Sequence, residues 1–164
     1  MPRMLRNLIL GTIFAVFVLA LDQWTKTEIL HHFNGIPNFA PVHITNFLDL
    51  VLVANHGVSF GIFNNDGPGN VLIFSGFALV IILALLVWLP RARYAYVAGA
   101  IGATIGGAIG NLLDRVRFGS VVDFIDFFYG SWHWYVFNIA DAAICIGVGL
   151  LLLDSLLARP ESPK

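Results

Sequence analysis

The chain has a single cysteine, Cys145, set in an apolar run, so neither a disulfide framework nor a cysteine-based metal site can be built from it. Charge is scarce too, with Asp, Glu, Lys and Arg making up 12% of 164 residues and a net charge of −1. Nine scattered Lys and Arg residues form no stripe that could follow a phosphate backbone, which excludes nucleic acid as a partner. No His-Glu-x-x-His motif occurs. His31, His32, His43 and His56 lie 1, 11 and 13 residues apart, which matches no recurrent ligand spacing, so they read as surface histidines.

What the chain does have is apolar sequence. At 58% hydrophobic and a mean hydropathy of +0.81, it reads as an integral membrane protein. A stretch from Asn7 to Leu21 follows Arg3 and Arg6 and has the shape of a signal peptide, with Val18 and Ala20 as small-residue cleavage positions. Three more apolar spans follow, however, and a helix continued through Asp22 to about Ile29 reaches the ~20 residues needed to cross a bilayer. The first segment is therefore taken as a retained anchor.

Four spans are expected, at about 7–28, 71–89, 96–113 and 138–157, in one membrane domain covering residues 1–164. The second has nineteen residues without charge, an interfacial Trp88 and a stop at Pro90, Arg91 and Arg93. The third carries Gly102, Gly106 and Gly110 along one stripe, a spacing that lets helices approach closely in lipid. Four spans leave both termini on one side. Arg3, Arg6, Arg91, Arg93, Arg159 and Lys164 fall on that side, against Lys26, Arg115 and Arg117 opposite, which makes the terminal side cytoplasmic. Residues about 30–70 and 114–137 are then extracytoplasmic, and within them Val42 to Val53 suits short strands, ended by a turn at Asn55-His56-Gly57. The fold class is a mainly α membrane protein with a small outer sheet.

All the acidic residues except Asp154 and Glu161 gather at the outer side. Asp22 and Lys26, four apart, share a helix face, either as an ordinary end-of-helix ion pair or as part of a site. Gly107, Asn111 and Asp114 share another face, just before Arg115; helix packing with a terminal salt bridge competes there with a functional reading. Between spans three and four, Asp123 is hemmed by Val121, Val122, Phe124 and Ile125. Asp141 lies one turn into span four, sharing a face with Asn138 and Cys145.

Two carboxylates brought close in a poorly solvated place divide into one that keeps its proton and one that stays charged, an acid and a base suited to hydrolysing an amide with water. Cys145 is expected to lie too deep in span four to compete as nucleophile. Two alternatives stay open. Asn138-x-x-Asp141 also fits a helix N-cap, and Asp126 could replace Asp123 as the partner. A proton carrier using Asp114, Asp123 and Asp141 would need polar groups at several depths, yet the inner halves of the spans are nearly bare of them. The Gly-x-Gly-Asp signature of presenilin-type proteases is absent.

Five blocks in order, LDQWTK (21–26), NHGVSF (55–60), GGAIGNLLDR (106–115), VVDFIDF (121–127) and FNIADAAI (137–144), together resemble the lipoprotein signal peptidase family, signal peptidase II. The resemblance implies an aspartic endopeptidase of the bacterial cytoplasmic (inner) membrane, with its site at the outer face. It would cut the signal peptide from a diacylglyceryl-modified prolipoprotein just before the lipidated cysteine. Asp123 and Asp141 match the family's catalytic pair, and Asp22, Lys26, Asn55, Gly107, Asn111, Asp114, Arg115 and Asn138 match its substrate-binding positions. Asp126 matches a recurrent position outside the pair. The resemblance further implies no metal or cofactor, a monomer in contact with membrane lipids, and a short surface helix that covers the substrate. Val58 departs from the small residue expected in the second block.

Overall fold

A computed structural model of the chain describes residues 1–57 and 68–157. Val58, Glu161 and the basic residues Arg159 and Lys164 lie outside them. Helix α1 (Arg3–Phe33) leads through a 3₁₀ turn at Pro37–Phe39 to strands β1 (Val42–Thr45) and β2 (Leu48–Asn55). Helix α2 (Pro68–Trp88), a second 3₁₀ turn at Leu89–Arg91 and helix α3 (Ala95–Phe118) follow. Strands β3 (Val121–Tyr129) and β4 (Trp132–His133) then precede helix α4 (Ile139–Leu157). All four helices are long and apolar enough to cross a membrane. With a matching membrane-protein architecture described below, the chain is a multi-pass membrane protein.

Helix α3 is the axis. Of its most apolar window 72% is buried, against 11–17% in the other three helices, whose outward faces expose side chains such as Phe14, Phe17, Leu72, Leu83 and Leu152. The glycine stripe makes this possible. A Cβ at Gly102 would collide with the Gly11 carbonyl, and one at Gly106 with that of Ala15, so α1 lies against α3 almost backbone to backbone. At Gly107 an added Cβ would meet the Ala140 carbonyl oxygen at 2.5 Å, which lets α4 close on the adjacent face. Leu85, Leu89, Val97, Ile101, Ile105 and Leu151 fill the space around this axis.

The end of the bundle that carries the N-terminus is tied by two polar contacts. Fully buried Asn7 donates to the Ala92 carbonyl at 2.7 Å, joining α1 to the turn between α2 and α3. The Tyr96 hydroxyl bonds Asp154 between α3 and α4. At the opposite end, the four strands form one antiparallel sheet in the order β1-β2-β3-β4. Ile29 and Phe33 at the end of α1 pack on Phe124 of β3, which seats the sheet on the helices.

Strand β3 falls where the sequence suggests only a connection between spans three and four. In Val121–Tyr129 the carboxylates fall three apart, which hides the period of two. Pairing with β2 imposes the strand, with Val53 opposite Asp123 and Asp49 opposite Asp126.

Candidate active site

Three local features bring Asp123 and Asp141 together. First, α3 ends at Gly119, whose φ of 72° is a left-handed C-cap that turns the chain straight into β3. Second, Phe137 is pinned to β3 by two backbone hydrogen bonds with Ile125, of 2.8 and 3.1 Å, just before α4 begins. Third, Asn138 caps α4: its Oδ1 accepts the Asp141 N–H at 2.9 Å, while its own N–H reaches Asp141 Oδ2 at 3.3 Å. The cap and the site are thus one arrangement, because the same Asn138 donates from Nδ2 to Asp123 Oδ1 at 2.6 Å.

Each carboxylate has one further amide donor. Asn55, at the end of β2, donates to Asp123 Oδ2 at 2.7 Å, and Asn111 of α3 donates to Asp141 Oδ1 at 2.7 Å. Asp123 is 1% exposed. Burial pushes its pKa up to about 6; the Asn55 amide opposes this rise, the neighbouring charge of Asp141 adds to it, and Asn138 and Lys26 oppose it. It therefore holds a proton far more readily than an exposed aspartate.

Behind this pair lies a second, fully buried cluster. Lys26 Nζ sits 2.9 Å from Asp22, 2.7 Å from Asp114 and 3.0 Å from Asn111 Oδ1. Asp22 also accepts the Ala140 N–H at 3.0 Å in the first turn of α4, where the helix dipole favours an anion, and Asp114 accepts the Val122 N–H at 3.2 Å. Asp22 and Lys26 are thus much more than an end-of-helix pair. They fasten α1, α3, β3 and α4 at one depth. Exposed by 0–2%, Asp22, Lys26 and Asp114 present nothing to a ligand, so the structure gives them a supporting place rather than a substrate-lining one. Gly107 likewise serves the α3–α4 contact.

Two cavities adjoin the carboxylates. One of about 530 Å³ is lined by Asp141, Arg115, Asn55, Phe74, Phe137 and Cys145, among others. The other, of about 380 Å³, is lined by Asp123, Val53, His133, Trp134, Tyr135 and Val136. Trp134 and Tyr135 line both. The first wall is mostly apolar, with the Arg115 guanidinium 5.8 Å above the Phe74 ring as its cation.

Several expectations change here. Cys145 is not too deep, since it is exposed one turn below Asp141 on the larger cavity; among the described residues no histidine lines that cavity to serve it as a base. Asp126 projects from the opposite face of β3 to Asp123 and bonds His133 at 2.8 Å, away from the pair. His31, His32, His43 and His56 are all exposed, as expected, and His43 bonds Asp49 at 2.7 Å. Gly57-Val58-Ser59-Phe60-Gly61 does fit Gly-x-Ser-x-Gly. Ser59 itself lies outside the described residues.

Sequence reasoning missed Gln23 and Tyr135. Gln23 bonds Asp114 at 3.0 Å and accepts from Arg117 at 2.9 Å, and Tyr135 accepts from Asn55 at 3.2 Å. Neither forms a spacing motif with its partner, 80 to 94 residues being too far for periodicity to register.

Residues 14–157 match the family model described as signal peptidase (SPase) II. The chain belongs to the signal peptidase II family. It is similar to lipoprotein signal peptidases of Rhodopseudomonas palustris (strain TIE-1), 43% identical over 92% of this chain and 94% of that one, and of Beijerinckia indica, 43% identical over 92% and 90%. It also resembles a bacterial membrane enzyme solved by the in meso method at 1.9 Å resolution, with a TM-score of 0.76 and 30% identity over 92% of this chain and 94% of that one. The four-helix architecture with its small sheet is thus that of a member of this family.

Proposed function

We propose that the chain is an aspartic endopeptidase that removes the signal peptide from diacylglyceryl-modified bacterial prolipoproteins, cutting just before the lipidated cysteine, with Asp123 and Asp141 as its catalytic pair. The observation that carries the reading is Asn138, which donates its side-chain amide to the Asp123 carboxyl and its backbone N–H to the Asp141 carboxyl, while its amide oxygen accepts the Asp141 backbone N–H. One residue thus sets the spacing of both carboxyls.

The chemistry balances with water as the only co-reactant. The ionised member takes a proton from water as its oxygen attacks the scissile carbonyl carbon, and the protonated member gives its proton to the carbonyl oxygen. Collapse of the tetrahedral intermediate breaks the C–N bond, and the proton taken from water passes to the leaving nitrogen. The upward shift of Asp123 suits it to hold the shared proton, although the two groups titrate as a pair. Asn55 and Arg115, on the larger cavity wall, contact the substrate; Asn111 and Asn138 orient the carboxyls; Asp22, Lys26, Gly107 and Asp114 hold the framework.

Residues 1–164 form a single membrane domain with both termini cytoplasmic, in the inner membrane, and with the pair at the outer face. The six terminal-side basic residues support that orientation. A site at the bilayer edge takes a signal helix from the membrane and an acylated cysteine from the outer leaflet, which is why the substrate is lipidated. Acyl chains gain roughly 0.8 kcal/mol per buried CH₂ in lipid and protein groove alike, so they position the substrate more than they tighten it. The enzyme works as a monomer among membrane lipids. The test is to incubate the purified protein with diacylglyceryl-modified and unmodified precursors. Cleavage of the modified one alone is expected, and equal cleavage of both would overturn the substrate assignment.

A further inference from the structure

Asn55 closes the site from the β2 side, yet it stands where the strand ends and is only half-buried, so packing alone does not hold its amide. Hydrogen bonds do. Its Oδ1 accepts the Gly57 N–H at 2.8 Å, a local turn; its Nδ2 donates to Asp123 Oδ2 at 2.7 Å and to the Tyr135 hydroxyl at 3.2 Å. The two Nδ2 hydrogens thus each have an acceptor. Tyr135 comes from the opposite side, on the segment joining β4 to α4, and with Trp134 it lines both the Asp123 and the Asp141 cavities.

We propose that Tyr135 is a positioning residue for peptide hydrolysis: its hydroxyl fixes the plane of the Asn55 amide, so that the other amide hydrogen stays on Asp123. This rests on the reading of Asp123 and Asp141 as the catalytic pair. Gly57 and Asp123 define which end of the amide points where, because the Gly57 N–H can only donate and Asp123 Oδ2 accepts from Nδ2. Tyr135 adds the third point that defines a plane. Without it, the amide rotates about its last torsion, which is broad and weakly hindered, and Asp123 loses a donor to its charged form for part of the time. The tyrosine also spans the two cavities, so the same bond ties the β4–α4 segment across the place where an extended peptide would meet both carboxyls.

The test uses the full-length protein, with cleavage of a diacylglyceryl-modified precursor followed across pH. Tyr135→Phe keeps the ring and its wall but removes the hydroxyl. A roughly three- to tenfold fall in kcat is expected, the size of one neutral hydrogen bond, with KM changed less than about twofold. The alkaline limb of the profile moves to higher pH, because Asp123 gives up its proton less readily. In an Asn55→Ala background the same substitution should cost nothing further; multiplying effects would mean that Tyr135 acts by another route and would overturn the inference. An unchanged kcat and pH profile in Tyr135→Phe would overturn it as well. Asp123→Asn is measured alongside. If it is inactive, a normal Tyr135→Phe counts against Tyr135 alone, whereas an active Asp123→Asn removes the catalytic pair on which the inference stands.

Discussion

Replacing Asn138 by Ala separates what this residue does for the fold from what it does for the site. The residue is fully buried and bonds both carboxylates, Asp123 through its side-chain amide and Asp141 through its backbone N–H. Alanine removes the N-cap of α4, worth about 1 kcal/mol. It also removes a 2.6 Å donor from buried Asp123, and a hydrogen bond to a charged group contributes about 1.5–3 kcal/mol. Together these predict a loss of about 2.5–4 kcal/mol, read by thermal unfolding in detergent. Cleavage of the lipidated precursor should fall by at least about a hundredfold, because the Asp123 carboxyl then loses the amide that fixes it beside Asp141. Asn138→Ser is the discriminating partner. Serine caps as well as asparagine does but cannot reach Asp123, so it should recover about 1 kcal/mol of stability and almost none of the activity. An Asn138→Ala variant within about 0.5 kcal/mol of the wild type and equally active would refute the reasoning. So would a serine variant whose activity returned with its cap.

Asp123→Asn and Asp141→Asn should each abolish cleavage while the protein still folds. Asp123→Asn should in addition change the pH dependence of stability. The folded pKa, raised to about 6, lies above the ordinary unfolded value of about 3.9, so the folded state binds more protons between them and stability falls as pH rises through that window. The asparagine variant lacks this loss of roughly 2–3 kcal/mol and should unfold at a higher temperature than wild type at pH 8; parallel pH–stability curves would contradict it. Lys26→Met leaves Asp22 and Asp114 buried without their cation and should cost about 3–5 kcal/mol, whereas an end-of-helix pair would cost well under 1. Chelators should leave cleavage unchanged, and inhibition relieved by added zinc would move the mechanism to the histidines.

Much of the helical architecture was legible because each span announces itself over some twenty consecutive residues, and the 102–106–110 stripe states in the sequence where backbones can touch. The site was legible only as a set of letters. Asn138 and Asp141 are three apart, so a local helical argument reached their cap, and the cap is real. The bond from Asn138 to Asp123, fifteen residues away across a strand, had no periodicity to reveal it. Asp126 illustrates the difference: three residues along a strand means the opposite face, but only knowing that 121–129 is a strand makes that argument available.

What the sequence alone determined was a chain that must live in a membrane, cross it four times and collect its carboxylates at one end, because apolar length, glycine spacing and the placement of charge are all properties of neighbours along the chain. The family resemblance then supplied the identity of the pair. Only the tertiary structure decided that Asp22, Lys26 and Asp114 form a buried brace rather than a binding surface, that Cys145 shares a cavity with Asp141, and that Asn55 and Tyr135 close over Asp123. Burial and cross-element hydrogen bonds depend on which helix faces and strand registers meet, and no local stretch of residues carries that information.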